Sequence, residues 1–431
     1  MNFTEHHFVL WLSILTMAVV MGVVLGGFAY LTLLERKVSA WVQDRKGPNR
    51  VGPLGLFQPL ADGVKFLLKE EVVPKNVDKL FYLMGPSIAT ATALLALAVV
   101  PFGKTEPAPE RPWPQTVAEE KAADKERKYA KQPPFEDEVA SYNATYEYVI
   151  APGVDIGIVF VFAVGSLNVY SVILGGWSSA NKYSLLGGLR ASAQVISYEI
   201  PLSMSILGVA VLTGSLNLER IIDYQVQHTW LIFYQPLALI LFVTAVFAEC
   251  NRLPFDLPEC EQELVAGYHT EYSGMKFALF MFGEYTHMIT TSFLVVILFF
   301  GGWQVLPFLG DVGGSGVAGT VVKLAVLCGK MFLFICFYMM VRWTLPRFRF
   351  DQLMGLAWKV LLPLALVNLV AVLVVKHLME TLGAPGLVWL LLPVSLATLV
   401  GAGYATLVMP HPTASLKRRG IPQAPLETAA R

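Results

Sequence analysis

The chain has 431 residues, of which 55% are hydrophobic and only 15% are charged, and its mean hydropathy is positive. Soluble domains carry about 25% charged residues, so the composition excludes an ordinary soluble globular protein. The 32 basic and 32 acidic residues cancel in formal charge, which gives no indication of nucleic-acid binding.

Nine apolar stretches are long enough to cross the hydrocarbon core of a bilayer, which takes about 20 helical residues. We therefore predict an all-α, polytopic membrane protein that forms one membrane domain over residues 1–431. The first span lacks preceding basic residues and a cleavage site, which is typical of a retained helix rather than a signal peptide. The predicted spans are 8–33, 80–102, 156–175, 191–213, 230–248, 277–303, 321–341, 354–375 and 383–409.

Basic residues are distributed unevenly between the two sides that nine spans define. Most of the 32 Lys and Arg lie on one side, and the positive-inside rule makes that side cytoplasmic. The N-terminus is then predicted outside and the C-terminus inside. The segments on the basic side are 34–79, 176–190, 249–276, 342–359 and the tail 410–431.

Segment 44–75 begins with two Gly-Pro turns and continues with Leu56, Leu60, Val64 and Leu67 at helical spacing. Polar residues such as Asp62 lie between them, so the segment is too short and too polar to span. It is typical of an amphipathic helix in the cytoplasmic interface. Such a helix serves either as an anchor or as a wall at the entrance of a cavity for a lipophilic ligand.

Residues 104–150 form a hydrophilic insertion between the second and third spans, with prolines on both sides of a charged core. The predicted topology makes the insertion periplasmic. Its composition is that of a solvated loop, and the alternative is a contact surface for a partner subunit.

Ionisable side chains inside the spans are costly and indicate function by default. Glu199, Glu284 and Lys330 lie within predicted spans, and Glu249 closes the fifth span. The structural alternative for each is a polar clamp between helices. His287, close to Glu284 in sequence, is more often a packed core residue.

The segment 249–276 is acidic although its cytoplasmic neighbours are basic. Its interleaved apolar residues indicate a packed segment rather than a solvated loop. Buried carboxylates that lie near one another have raised pKa values and can exchange protons near neutral pH. We therefore predict a proton path of titratable groups, formed by Glu199, Glu249, Glu259, Glu261, Glu263, Glu284 and Lys330.

The four cysteines form no CxxC pair, which argues against a zinc or iron–sulfur site. No metal ligands and no complete catalytic site are predicted in this chain.

Four stretches resemble a membrane subunit of respiratory NADH:quinone oxidoreductase (complex I), the one that is called the H subunit in bacteria and subunit 1 in mitochondria. They are long, ordered and spread over most of the chain. They read ERKVSAWVQDRKGPNRVGPLGLFQPLADGVKFLLKE (35–70), GWSSANKYSLLGGLRASAQVISYEIP (176–201), AECNRLPFDLPECEQELVAGYHTEYSG (248–274) with FALFMFGEY (277–285), and VRWTLPRFRFDQLMGLAWKVLLPL (341–364).

The resemblance implies a subunit that forms much of a quinone-binding chamber, begins the proton path and joins the membrane arm to the peripheral arm. It implies that the acids of the predicted path are carried over from the family. The residues implied at the quinone chamber are Glu35, Arg36, Arg45, Asp62, Arg252 and Asp256, and those at the arm junction are Arg342, Arg347, Arg349 and Asp351.

The resemblance also implies that quinone is the substrate and that this chain binds no prosthetic group. FMN and iron–sulfur clusters are expected in partner subunits, together with a peripheral quinone-pocket subunit and neighbouring small membrane subunits. The insertion and the ninth span fit a bacterial inner-membrane protein better than a mitochondrial one.

The chain departs from the family pattern at Cys250, where threonine is usual, and at Pro258 and Cys260. None of these departures removes a family carboxylate. Two other functions are considered, a secondary transporter acting alone and the related subunit of a membrane-bound hydrogenase. The first lacks paired Gly/Pro-interrupted spans, and the entrance motif 35–70 favours quinone over the second.

Overall fold

A computed structural model describes residues 3–97, 156–256, 264–307 and 317–408, and over those ranges the chain is helical with no strand. The helices are α1 (Phe3–Val42), α2 (Gln58–Leu68), α3 (Lys79–Ala96), α4 (Gly157–Ser166), α5 (Asn168–Ser178), α6 (Lys182–Thr213), α7 (Leu218–Gln227), α8 (Leu231–Tyr234), α9 (Pro236–Glu249), α10 (Gly274–Phe299), α11 (Val317–Thr344), α12 (Phe350–Leu356), α13 (Leu362–Leu382) and α14 (Leu391–Val408).

Seven helical segments in the described ranges are long and apolar enough to cross a membrane, which confirms the all-α polytopic class. They are Lys79–Ala96, Gly157–Ser178, Lys182–Thr213, Gly274–Phe299, Val321–Thr344, Phe350–Leu382 and Gly386–Tyr404. Helix α1 runs for 40 residues over the predicted first span. The count of nine spans and the sidedness of the termini stay predictions.

The predicted fifth span, 230–248, is interrupted. Helix α8 ends at Tyr234, and Gln235 has φ −129° and ψ 61° before Pro236 opens α9. The residue before a proline is pushed out of the α region, which explains the break. Helix α9 therefore has only 14 residues.

Helices α6 and α10 form the centre of the packing. Helix α6 packs against α5, α9 and α13, while α10 packs against α3 and α11. In α10, 89% of the most apolar window is buried inside this chain, against 17% in Gly386–Tyr404. Ionisable residues on α10 are therefore held among protein neighbours.

Close backbone approach fixes one junction of α6. A Cβ placed on Gly187 would lie 2.6 Å from the Cα of Gly267, so only glycine fits there. Gly267 begins a 3-10 turn, Gly267–His269, and has a φ of +54° that favours glycine. The two glycines let α6 pack directly against this turn.

Helix α2 is a short helix within the predicted amphipathic segment. None of its residues is buried, and Leu60, Val64 and Leu67 are exposed on it. An exposed apolar face is what a helix in the membrane interface presents. Its position relative to the bilayer stays a prediction.

The acidic segment 249–276 is packed over much of the part that the structure describes. Asn251, Phe255, Asp256, Leu264 and Tyr268 are all buried. The described part is therefore not a solvated loop. Glu259, Glu261 and Glu263, the insertion 104–150 and the tail 410–431 lie outside the described residues.

Candidate functional site

Glu35, near the C-terminal end of α1, is the centre of a mostly buried polar cluster. Its Oε2 accepts a 2.6 Å hydrogen bond from the hydroxyl of Tyr285 on α10, and its Oε1 forms an ion pair with Arg342 on α11. The Arg252 guanidinium lies 4.3 Å from the centre of the Tyr285 ring and 4.0 Å from Glu35 Oε1. The cluster joins three helices to the loop after α9.

Asp256 is the last described residue of the stretch after α9, and it is almost fully buried. Its Oδ2 is 2.8 Å from Nη2 of Arg347, which follows α11. Burial raises the pKa of the Asp256 carboxyl to about 6, although the neighbouring Arg347 and Arg252 charges oppose the rise. Asp256 therefore changes charge within the physiological pH range.

A buried glutamine on α6 holds the loop in place. The Gln194 amide nitrogen donates to the carbonyl oxygens of Ala248 and Phe255, both at 2.8 Å. These two bonds attach both the last turn of α9 and Phe255 to α6. Arg252 and Asp256 are thereby held in fixed positions.

Glu284 on α10 is buried next to the 3-10 turn that Gly187 supports. Its Oε1 accepts a 3.0 Å hydrogen bond from the Tyr268 hydroxyl and lies 3.7 Å from Nε2 of His269. Glu284 also interacts electrostatically with Asp256. It therefore connects the loop to the interior of the helix bundle.

Glu249, the last residue of α9, faces α10 one turn beyond Glu284. Its Oε1 lies 3.0 Å from Nε2 of His287. Glu199 on α6 interacts electrostatically with Glu249. Gly165 of α4 packs beside this pair, and a Cβ there would lie 3.6 Å from Glu249 Oε1, in ordinary van der Waals contact.

The structure thus brings several predicted residues from four helices and one loop into one connected series of ionisable groups. Groups in direct contact, such as Glu284 with Tyr268 or Glu249 with His287, are close enough to exchange protons, whereas Asp256 with Glu284 and Glu249 with Glu199 are linked electrostatically. The series consists of Glu35, Arg252, Asp256, Glu284, Glu249 and Glu199, with Tyr268, His269, Tyr285 and His287 between them.

A second group of predicted residues connects α1 to α2. Nη1 of Arg36 lies 2.8 Å from Asp62 Oδ2, and the amide of Gln58 donates to Asp62 Oδ1 at 3.1 Å. The Arg45 side chain donates to Gln43, 2.7 Å away. A polar cavity of about 420 Å³ is bordered by Arg36, Arg45 and Arg50.

An apolar cavity of about 920 Å³ adjoins the polar one. It lies between α1, α10, α11 and the loop before α2, and Trp41, Leu54, Leu56 and Met331 are among its lining residues. Lys46 and Asn49 line both cavities. The region therefore offers lipophilic space next to basic side chains.

Lys330 is not brought to these carboxylates. Its ammonium donates to the carbonyl oxygen of Phe300, 2.6 Å away, and to that of Gln304, and it lies 4.4 Å from the centre of the Trp230 ring. Phe300 comes directly after the C-terminal end of α10, about four turns beyond Glu284. These contacts match the alternative of a polar clamp between helices.

At the predicted arm junction, the structure gives Arg342 and Arg347 carboxylate partners, Glu35 and Asp256. Arg349 precedes α12 and Asp351 lies in its first turn, both exposed. Among the residues that the structure describes, no group of three His, Cys, Asp or Glu side chains could hold a metal ion.

Sequence reasoning missed Gln194, Tyr268 and His269 as members of the site. The amide of Gln194 inside an apolar span was the available signal, because a buried amide needs hydrogen-bond partners. Tyr268 and His269 gave no such signal, since their approach to Glu284 depends on the contact between Gly187 and Gly267.

Comparison with known proteins gives a family and similar relatives. The family model described as NADH dehydrogenase matches residues 15–373. The H subunit of NADH-quinone oxidoreductase from Leptospira biflexa is 48% identical over 343 residues, which cover 79% of this chain and 88% of the relative. An H subunit of the same enzyme from Cytophaga hutchinsonii is 44% identical, covering 79% and 90%, and the one from Thermomicrobium roseum is 44% identical, covering 81% and 92%.

Proposed function

Because the chain belongs to the family of the NADH-quinone oxidoreductase H subunit, we propose that it forms part of the quinone-binding chamber and couples quinone reduction to proton translocation through its carboxylates. The chain is a multi-pass membrane subunit of an oxidoreductase complex. Family membership favours this function over a transporter acting alone and over a subunit of a hydrogenase. The proposed location is the bacterial inner membrane.

The observation that carries the proposal is the continuity of the ionisable series. It begins at Glu35 and Asp256, near the loop after α9, and continues through Glu284 and Glu249 to Glu199 within α6. A charge change at one member alters the free energy of protonation of the next, since buried charges are poorly screened. Glu259, Glu261 and Glu263 are proposed to extend the path.

The chamber is proposed to use the two cavities around the loop before α2. A quinone has a polar ring and an apolar tail, and the adjoining polar and apolar cavities suit these two parts. Arg36, Arg45 and Asp62 border or adjoin the polar region. Helix α2 lies beside it as a wall in the interface.

The proposed partners are the other subunits of the complex. Electrons reach quinone from iron–sulfur clusters, and originally from FMN, in peripheral subunits, so this chain supplies no redox group. Arg342, Arg347, Arg349 and Asp351 are proposed to lie at the junction with those subunits.

Replacing Glu284 or Glu199 by Gln tests the path. We expect NADH:quinone turnover coupled to proton pumping to fall about ten-fold or more, since a lost proton-transfer group typically costs at least that factor. NADH oxidation by a water-soluble artificial acceptor should not change, because the electron input lies in other subunits. E380Q, near the C-terminal end of α13, is the control. Full coupled turnover in both E284Q and E199Q would contradict the proposal.

A further inference from the structure

His287 lies between two carboxylates of the series, and we propose that it carries the proton from Glu284 to Glu249. This inference rests on the proposed function and adds a specific proton carrier to it. An imidazole can accept a proton on one ring nitrogen and release another from the second, so a neutral histidine can pass a proton between two carboxylates.

The contact with Glu249 supplies the delivery side. His287 Nε2 lies 3.0 Å from Glu249 Oε1, and both side chains are about nine-tenths buried. The other carboxylate oxygen, Oε2, is buried and accepts no hydrogen bond from the described residues. Glu249 thus has Oε1 next to the imidazole, and its Oε2 is available to accept a proton.

The position of Glu284 supplies the donor side. Glu284 and His287 are three residues apart on α10, and side chains at this spacing are neighbours on one helix face. The two groups interact electrostatically. His269 lies on another side of Glu284, with Nε2 3.7 Å from Oε1. The order of groups is therefore His269, Glu284, His287 and Glu249.

The surroundings of the imidazole contain few competing groups. Among the residues that the structure describes, the titratable groups that interact with His287 are Glu249 from α9 and Glu284 from its own helix. Helix α4 faces it with Gly165, where a Cβ would lie 3.8 Å from His287 Cε1.

The transfer is balanced without any other reactant. Glu284 gives its proton to one nitrogen of neutral His287, which becomes an imidazolium. The imidazolium releases a proton from its other nitrogen to the Glu249 carboxylate and returns to the neutral form. Ring rotation or a tautomer change restores the starting arrangement, and Glu284 is reprotonated from the chamber side.

The test is made on the assembled complex, with H287N and H287Q as variants that keep polarity but do not titrate. We expect NADH:quinone turnover to fall about ten-fold or more in both, while reduction of a water-soluble artificial acceptor is unchanged. The dependence of quinone turnover on pH should also change, because the variants lack the titration of the His287 imidazole. H377N, on α13 and away from the series, is the matched control and should behave as wild type.

Wild-type turnover, pumping stoichiometry and pH profile in either assembled His287 variant would overturn the inference. Failure of both variants to assemble would assign the imidazole to holding α9 against α10, and this too would overturn it. E284Q and E249Q separate this inference from the proposed function. If those two variants lose coupled turnover while H287N keeps it, the path stands without the histidine.

Discussion

Replacing Arg347 by Gln should destabilise the complex in a way that grows with pH. The change removes the cation 2.8 Å from Asp256, a carboxyl that is only 5% exposed and whose Oδ1 accepts no hydrogen bond from the described residues. Burial already raises the Asp256 pKa to about 6, with Arg347 as the strongest opposing influence. Without Arg347 the pKa must rise further.

The direction and the size of the stability change both follow from the raised pKa of Asp256. When folding raises the pKa of a carboxyl, the free energy of unfolding of the protein falls as the pH rises from the unfolded-state pKa to the folded-state pKa. In the wild type this loss levels off above pH 6, whereas in R347Q it continues at about 1.4 kcal/mol per pH unit. The extra destabilisation is therefore small at pH 6, and is at most about 1.4 kcal/mol at pH 7 and about 3 kcal/mol at pH 8.

Thermal inactivation of the purified complex at pH 6, 7 and 8 measures this effect. R347Q should nearly match the wild type at pH 6 and lose heat resistance progressively above it. D256N removes the titrating group, so the double variant R347Q/D256N should show no pH-dependent difference from D256N. Equal destabilisation by R347Q at pH 6 and pH 8 would refute the electrostatic reasoning.

Two further predictions concern packing and the lysine. G187A should reduce assembly or turnover, because the new Cβ meets the backbone of Gly267 and overpacking costs about 1–3 kcal/mol; G63A, in open space on α2, is the control and should be neutral. K330M leaves two carbonyl oxygens after α10 without their donor, so thermal stability should fall by about 1–3 kcal/mol while the surviving complex keeps its quinone turnover. Lost turnover at unchanged stability would instead support a place for Lys330 in the proton path.

Hydropathy and periodicity predicted the fold class well, since a bilayer restricts spanning segments to helices of a minimum length. The same reasoning led to a short helix in the region where the structure has α2, while the cytoplasmic position of that helix and of the acidic segment stays a prediction. It missed the break at Pro236, because composition over 230–248 stays apolar through the break. The presence of a proline does not by itself predict a break, because Pro236 begins a helix whereas Pro201 lies inside α6.

Individual candidate residues could be named from the sequence, whereas the contacts between them could not. A carboxylate in an apolar span could be recognised from its cost, which singled out Glu199, Glu284 and Glu249. Which group each one faces depends on contacts between distant segments. Lys330 and His287 illustrate the difference, because both are ionisable residues in spans, yet one binds backbone carbonyls and the other faces a carboxylate.

Asp256 links the predicted arm junction to the carboxylates of the helix bundle. Asp256 interacts with Arg347 on the side of the predicted arm junction and with Glu284 on the side of the bundle. A change that pulls Arg347 away would protonate Asp256 and remove a negative charge next to Glu284. The repulsion between the Asp256 and Glu284 carboxylates would then be lost. A movement at the junction would thereby change the electrostatic surroundings of Glu284, and so of the proposed proton path, without any movement of α10.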